Sequence, residues 1–577
     1  MAGLLPGRDE QTWAGREKDE IPESMFKENE VGAPLRQSQF RRVWGANLLS
    51  NFGSLIQGVG AAWAMTQMAA SPDIVALVQT AVMLPVMLIS IPGGAIADMY
   101  DRRIVGLVAL ALTLLASVAL TALAWYGHLT PISLLVFCFV IGSGMALYGP
   151  AWQASVNEQV PPKMLPAAIT LNSISFNIAR SFGPAIGGLI VATAGSVAAF
   201  AANALSYLPV LAVLFFWHRK QVPSRLPPER LNRAIISGVR YILNSPPMRT
   251  VLVRCALTGA LGGSIFALMP LLVRDVLRGD ATTYGLMLGA FGIGAIFGAF
   301  YVGSMRAKFG SEGAVRAALL ALGVGTAVAS LSRMPALTAL AFALAGGGWM
   351  MSMALFNISI QTGAPRWVSG RAVAAFRSSN SAGLALGSWA WGYLAVHIGI
   401  DKALLVSALA MLVSPLMAIW LRVPEVESVS EDLAQTVADP EVRIEMMPRS
   451  GPVVVEIEYR IDQSRAREFY DIMQQVQLNR QRNGAYGWSI ARDVADPKLW
   501  TERYHCPTWH DYLRQRMRPT DAERALQRTA TDMHIGPEPV RIRRMLERPF
   551  GSVRWKDDDA PAVVIPIGAQ ATTTSGT

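Results

Sequence analysis

Charged residues are scarce in this chain. Only 16% of its 577 residues are Asp, Glu, Lys or Arg, and 52% are hydrophobic, whereas soluble domains carry about 25% charged residues. This composition excludes a wholly soluble protein and indicates a membrane protein. Cysteine is also rare, and Cys138, Cys255 and Cys506 have neither paired nor metal-ligand spacing. We therefore predict no disulfide framework and no metal site, and we predict no cofactor.

Several other features are missing. The chain has no G-x-x-x-x-G-K-[ST] loop, which argues against an ATP-driven pump. Residues 1–42 are polar and carry charges of both signs, so we predict a disordered cytosolic lead and no cleavable secretory signal. No acidic residue lies deep inside an apolar run. Asp73, Asp98, Glu158 and Asp275 all lie at the ends of runs.

Long apolar runs, by contrast, are abundant. Twelve of them have about 20 residues each, the length needed to cross roughly 30 Å of hydrocarbon. They lie near 43–69, 74–97, 104–125, 131–152, 165–192, 196–217, 250–273, 283–303, 313–332, 336–360, 371–396 and 402–421. We predict an all-α polytopic membrane protein with twelve transmembrane helices in two six-helix bundles, over 43–217 and 250–421.

The formal net charge of +10 lies mainly in short loops between the runs. The gap at 218–249 contains seven Lys or Arg and one acid, Glu229, and residues 228–243 have the apolar spacing of an amphipathic helix on a membrane surface. The loops at 126–130 and 193–196 contain no Lys or Arg. The positive-inside rule therefore places the gap and both termini in the cytoplasm, in a multi-pass protein of the inner (plasma) membrane with the lipid bilayer as a partner. It also explains the charge without nucleic acid.

A charged loop separates the second and third runs and has a weaker counterpart in the second half. Its residues follow the spacing G-x-x-x-D-x-x-x-R-R and are Gly94, Asp98, Arg102 and Arg103. The residues of the second-half echo are Gly303, Lys308 and Gly310. Glycine allows close approach of two helix ends, and the arginines stay in the cytosolic water layer.

A second repeat supports duplication of the two halves. Aligning Asn172 with Arg377 without a gap also pairs Ser173 with Ser378 and Gly187 with Gly392. Internal repeats of this kind are typical of transporters.

The loop at 94–103 resembles the signature of the major facilitator superfamily between its second and third transmembrane helices. The usual form is Asp-Arg-x-Gly-Arg-Arg, and here Met99 and Asp101 stand where that form has Arg and Gly. The resemblance implies a secondary transporter that works by alternating access, a latch on the cytosolic face formed by the loop residues, and a proton as the coupling ion. Ala307 replaces the Asp in the second copy, so only the first copy can form the latch.

The fifth run carries a glycine motif with two readings. Gly183-Pro184-x-x-Gly187-Gly188 resembles the G-P-x-x-G-G signature of exporters in this superfamily, which favours export of a small organic solute such as a siderophore, drug or metabolite. Its glycines form a small-xxx-small face, and Pro184 bends the helix. Simple helix packing is the alternative reading, and it holds whatever the direction of transport.

Arg180 lies about halfway along the same run, where a guanidinium is costly unless it faces a polar cavity or a partner. We predict a cavity with fixed positive charge, suited to an anionic or strongly polar small molecule. The polar candidates for it are Asn172, Asn177, Arg180, Arg377 and Asn380. For Arg377 the alternative is snorkelling to the cytosolic interface.

The composition becomes soluble after Arg422. An acidic linker at 422–450 precedes a domain at 451–548, and residues 549–577 are predicted to be disordered. The pattern βαββαβ of this domain is the ferredoxin-like one, a small α+β fold. It resembles dimeric α/β-barrel domains related to cofactor-free monooxygenases. Residues 508–515 resemble a tail element of the enterobactin-exporter-like, or transmembrane secretion effector, branch of the superfamily.

The tail leaves two alternatives open: a membrane-tethered enzyme with monooxygenase-like activity, or a domain that pairs two chains as a homodimer. His505, His510 and His534 are accompanied by three tryptophans but have no metal-ligand or triad spacing. We therefore predict no catalytic residue and a transporter rather than an enzyme, and we prefer the homodimer.

Overall fold

A computed structural model describes residues 32–68, 71–161, 164–217, 231–425, 442–444, 446–447, 449–517 and 520–547. At a few positions within these ranges only the backbone is described. The predictions for most of the N-terminal lead, for 218–230, for most of the acidic linker and for the C-terminal tail from 548 lie outside the described residues.

The first half consists of long helices that run back and forth. They are α1 (Ser38–Met68), α2 (Pro72–Met99), α3 (Arg102–Trp125), α4 (Pro131–Ser155) and α5 (Leu165–Phe215). Pro72 and Pro131 lie in the first turn, where the missing N–H costs nothing because it would have no partner there. Asp101 caps α3 by accepting a hydrogen bond from Arg103 N at 2.9 Å.

The second half repeats this arrangement after a short surface helix. The helices are α6 (Leu231–Leu243), α7 (Pro246–Leu271), α8 (Ala281–Leu331), α9 (Pro335–Gly363), α10 (Arg366–Ile398) and α11 (Ile400–Val413). In the described part of the chain, eight helices are long and apolar enough to cross a membrane.

The 51-residue helices α5 and α8 each bend at one glycine. Gly195 has φ +77° in α5, and Gly310 has φ +70° in α8. These left-handed backbone conformations are costly for residues with a Cβ. Each helix therefore consists of two segments that reverse direction at the glycine.

The buried apolar residues form a core shared by both halves at one end of the molecule. We call the end with the Gly94–Arg103 loop the loop end, and the opposite end, near Gly195 and residues 272–280, the far end. At the far end one continuous core contains residues of both halves, including Trp63, Leu268 and Tyr284. At the loop end the fully buried apolar residues form a separate core in each half. The halves still touch there, because Ile91 packs against the second-half core and Ser378 Oγ donates a hydrogen bond to the Met87 carbonyl at 2.9 Å.

The surface helix α6 lies at the loop end and touches both halves. Its apolar face, with Ile235 and Val239, adjoins Ile91 of α2. On the other side, Arg371 of α10 donates a hydrogen bond to Ser237 Oγ at 3.3 Å.

The tail is an antiparallel sheet with helices on one face. Its strands are β1 (Val453–Arg460), β2 (Tyr486–Arg492), β3 (Leu499–Cys506) and β4 (Arg541–Leu546), in the order β2-β3-β1-β4. The helices are α12 (Ala466–Arg482), α13 (Trp509–Met517) and α14 (Asp521–Asp532). Val453, Ile457 and Phe469 lie in their shared core. The tail contacts α6, because Arg240 donates a hydrogen bond to the Gly484 carbonyl at 3.2 Å.

Candidate functional site

A cavity of about 440 Å³ lies between the two halves, within the usual range for small-molecule sites. Helices α1, α2, α4 and α5 line it from the first half, and α7 and α8 from the second. Most of its wall is apolar. Its polar side chains include Asn51, Gln57, Gln79, Arg180, Tyr207 and Tyr284.

Arg180 is the one charged side chain among the described residues that line the cavity. Its guanidinium carbon lies 6.0 Å from the centre of the Phe291 ring, close enough for a cation–π contact, and Nη1 lies 4.0 Å from Met350 Sδ. Both neighbours belong to the second half. Neither carries a negative charge, so the cation can accept an anionic partner.

The glycine motif of α5 packs against two different helices. A Cβ at Gly187 would lie 3.0 Å from Ile56 Cα of α1, within the same half. A Cβ at Gly188 would lie 2.6 Å from the Ala281 carbonyl oxygen and 2.8 Å from Gly285 Cα of the second half. The motif thus forms a seam between the halves on the far-end side of the cavity, where only glycine allows such close backbone approach.

The charged loop ties helix ends together within the first half. Arg102 Nη1 lies 2.9 Å from Glu158 Oε1. Arg103 donates hydrogen bonds to the carbonyls of Leu214 and Phe215, at 2.9 and 2.5 Å. These are among the last carbonyls of α5, which a helix leaves without internal partners.

Comparison with known proteins decides the family. Residues 30–550 match the sequence pattern of the transmembrane secretion effectors, a family of the major facilitator superfamily. The chain belongs to this family. It is therefore a multi-pass membrane transporter and not an enzyme, and transporters of this superfamily in bacteria lie in the plasma membrane.

Individual relatives agree with that assignment. The multidrug efflux pump Tap of Mycolicibacterium fortuitum is 28% identical over 387 residues, 65% of this chain and 94% of that protein. The enterobactin exporter EntS of Shigella flexneri is 24% identical over 302 residues, 51% of this chain and 70% of that one. A bacterial homologue of the lysosomal transporter Spinster shares the fold, with a TM-score of 0.52 and 13% identity over 67% of this chain and 95% of its own.

The other candidate polar residues of this secretion effector do not line the cavity. Asn177 Nδ2 donates to the Ser173 carbonyl at 2.9 Å within its own helix. Asn172 Oδ1 and Asn380 Oδ1 are buried without a hydrogen-bond partner among the described residues. Arg377 lies at the loop end, where its Nη1 would lie 3.4 Å from a Cβ at Gly149 of the first half. Position along a run does not reveal which side of a helix faces the cavity.

The remaining loop residues lie at the loop end. Gly94 and Gly303 face open space, since a Cβ on either would meet nothing within 4 Å. The backbone of Asp98 lies in the last turn of α2, and its side chain lies outside the described residues. Lys308 Nζ lies 5.2 Å from the Phe309 ring centre, and Gly310 forms the bend of α8.

Sequence reasoning missed two features. The first is the aromatic wall, in which Phe266 makes edge contacts with Phe291 and Trp349 at ring-centre distances of 5.3 and 5.6 Å. Aromatic residues in an apolar run look the same whether they face lipid or cavity. The second is a buried ion pair between Arg254 and Glu312, 2.5 Å apart. Glu312 directly precedes a predicted run, and no local pattern marks Arg254 as its partner.

The tail histidines do not form one site. His534 Nδ1 accepts a hydrogen bond from the Arg460 backbone N–H at 2.9 Å. This bond connects the chain after α14 to the end of β1. His505 Nε2 lies 3.6 Å from Glu547 Oε2, beside β4. Each has a separate structural contact, and no group of three or more His, Cys, Asp or Glu able to hold a metal occurs among the described residues.

Proposed function

We propose that this transporter exports small organic molecules that combine an aromatic or apolar frame with a negative charge. The observation that carries this proposal is the pairing of Arg180 with an otherwise apolar, aromatic cavity. A guanidinium at the centre of a membrane helix costs about 2.5–3.5 kcal/mol. A bound anion offsets part of that cost, and the aromatic rings bury the rest of the molecule. Export as the direction is supported by relatives that are named as an efflux pump and an exporter.

Alternating access is supported by the distribution of the cores. The two halves share one core at the far end and have separate cores at the loop end. This is the arrangement expected of a transporter whose cavity opens toward the loop end, which the positive-inside rule makes the cytosol. A solute would enter there before the halves rock about the site.

Twelve spans in two six-helix bundles are the arrangement that fits the helices best. The two bent helices α5 and α8 supply two spans each, and α1 and α10 have 31 and 33 residues. Added to the other six apolar helices, they give the predicted number. The strand order of the tail likewise fits the ferredoxin-like pattern.

The loop residues Gly94, Asp98, Arg102 and Arg103 are proposed to hold the first half together at its cytosolic face while the cavity changes access. The contacts of Arg102 with Glu158 and of Arg103 with the end of α5 support this role. The proton stays the predicted coupling ion, although none of the described lining residues is a carboxylate. Pairing of two chains through the tail also stays a prediction.

Transport of two dyes tests the proposal. In inside-out vesicles driven by a proton gradient, the wild-type protein should accumulate anionic carboxyfluorescein. Arg180→Met should lower that rate by about tenfold or more, because a lost charge-assisted contact is worth about 1.5–3 kcal/mol, and Arg180→Lys should retain part of it. Accumulation of cationic ethidium should not fall in Arg180→Met.

Arg467→Met is the matched control, since it makes the same change at an exposed position of the tail and should leave both rates near wild type. Equal transport of carboxyfluorescein by wild type and Arg180→Met would contradict the anionic class of substrate. Absence of transport of both dyes by the wild type would count against the export function itself.

A further inference from the structure

Arg377 lies at the loop end, between the two halves of the transporter. It belongs to α10, and its Nη1 would lie 3.4 Å from a Cβ at Gly149 of α4. The next residue, Ser378, donates a hydrogen bond from Oγ to the Met87 carbonyl of α2 at 2.9 Å. This segment of α10 therefore faces two helices of the first half.

The neighbours of Arg377 place it next to the central cavity. On α4, Met145 lines the cavity, and Gly149 follows four residues later on the same face of the helix. On α2, Val86 lines the cavity, and Met87 is the next residue. Four residues of a helix correspond to about 6 Å along its axis. Arg377 thus lies about one helical turn beyond the cavity wall, on the side of the loop end.

The guanidinium of Arg377 has neither an ion pair nor a hydrogen bond among the described residues. Protein atoms surround most of the side chain, yet part of its surface stays accessible, as in a water-filled cleft. A charge within a membrane segment is tolerated where it faces such a cleft. Arg377 and Arg180 are then two cations in succession along the path from the loop end into the cavity.

The surroundings of Arg377 differ from those of an arginine with a structural role. Arg102 binds a carboxylate and Arg103 binds helix-end carbonyls. Across from Arg377 stands Gly149, which presents no side chain, and Arg377 Nη1 is the one described atom within 4 Å of a Cβ at that glycine. The guanidinium therefore borders open space between the halves, where a solute can approach it.

We propose that Arg377 is an entry site, where the negative group of a solute binds before it reaches Arg180. This inference rests on the proposed export of anionic molecules and extends it to the route of entry. A cleft between protein walls concentrates the field of a charge and raises the local concentration of anions. Arg377 therefore lowers the KM for anionic solutes and leaves the later steps of transport unchanged.

Transport kinetics in inside-out vesicles test the proposal, because the cytosolic face is then on the outside. At low salt, Arg377→Gln should raise the KM for carboxyfluorescein about fivefold and leave kcat near wild type, since a loss of binding alone changes KM. Arg377→Lys should keep most of the effect of the charge. Arg467→Gln makes the same change on the tail surface and should not alter KM. The KM for ethidium should not rise in Arg377→Gln.

Ionic strength separates the entry site from the cavity. The Debye length falls from about 30 Å at about 0.01 M salt to about 3 Å at about 1 M, and buried contacts are screened much less than solvated ones. The KM values of wild type and Arg377→Gln should therefore converge at high salt. The loss of carboxyfluorescein transport in Arg180→Met should persist.

Cysteine modification tests whether position 377 borders the aqueous entrance. Arg377→Cys should react with the anionic reagent sulfonatoethyl methanethiosulfonate, and saturating carboxyfluorescein should slow that reaction. The native cysteines are buried, so the wild type provides the background. Attachment of the cationic trimethylammonium analogue should restore the low KM for carboxyfluorescein, whereas attachment of the sulfonate should not.

An unchanged KM in Arg377→Gln, with normal transport by the wild type, would refute the entry site and leave the export proposal intact. A lower kcat with an unchanged KM would mean that Arg377 acts when the halves close and not in binding. No reaction of Arg377→Cys with the anionic reagent would show that the side chain does not face the aqueous entrance. Failure of the wild type to transport carboxyfluorescein would contradict the proposed function itself, on which the entry site rests.

Discussion

At the scale of single residues, the charges of this protein mostly act on helix ends. Asp101 caps α3, and Arg103 binds the last carbonyls of α5. Glu312 accepts a hydrogen bond from the Val423 backbone N–H at 2.8 Å while it pairs with Arg254. Backbone groups at helix ends need partners, and near a membrane surface charged side chains supply them.

The contact between Arg102 and Glu158 gives a prediction at this scale. Arg102→Glu should bring two carboxylates together, lower the free energy of unfolding by about 1–2 kcal/mol and reduce dye export. The double variant Arg102→Glu/Glu158→Arg should restore much of both. Thermal unfolding and export rates at matched expression check this. If the stability and the export rate of the double variant stay low, opposite charges at positions 102 and 158 are not what the loop requires.

At the scale of helices, proline and glycine set the boundaries. Prolines begin α2, α4, α7 and α9, and glycines with positive φ divide α5 and α8. Each apolar run coincides with a helix or with one segment of a bent helix. They placed the start of α1 at 43, whereas it begins at Ser38, because Arg41 and Arg42 continue the helix beyond the apolar part. Hydropathy predicts the part of a helix that lies in the hydrocarbon, and not where the helix itself begins or ends.

The seam between α5 and α8 gives a prediction at this scale. Gly188→Ala should lower export strongly, by about tenfold or more, because the added Cβ would meet backbone atoms of the other half that cannot move without separating the helices. Gly303→Ala is the matched control in open space and should transport like the wild type. Export at equal membrane expression is the measurement. Normal export by Gly188→Ala would show that the far end does not need this close contact.

At the scale of the whole molecule, only part of the candidate site can be predicted from the sequence. Arg180 is detectable because a charge inside an apolar run is costly. The aromatic wall and the partner of Gly188, which is Gly285, are not detectable, because both depend on how two distant halves meet. The contact of the tail with α6 was not predicted either, since no local pattern marks it.

The sidedness of the chain gives the last prediction. His128→Cys, in the far-end loop, should react with a membrane-impermeant maleimide in intact cells, whereas Gln463→Cys, exposed in the tail, should react only after permeabilisation. The native cysteines are all buried. Burial raises the pKa of Cys506 to about 12, so at pH 7 it stays a thiol and reacts slowly. Labelling of both positions from outside would refute a cytosolic tail.

The meeting of Gly188 with Gly285 also constrains how this transporter can evolve. Neither residue has a side chain to lose, so any exchange at one position adds atoms that no exchange at the other can compensate. Adaptation to a new compound is then confined to the cavity wall, at positions such as Tyr284 and Phe291, where one ring can shrink while a neighbour grows. We expect strains selected for resistance to carry changes there and none at the two glycines.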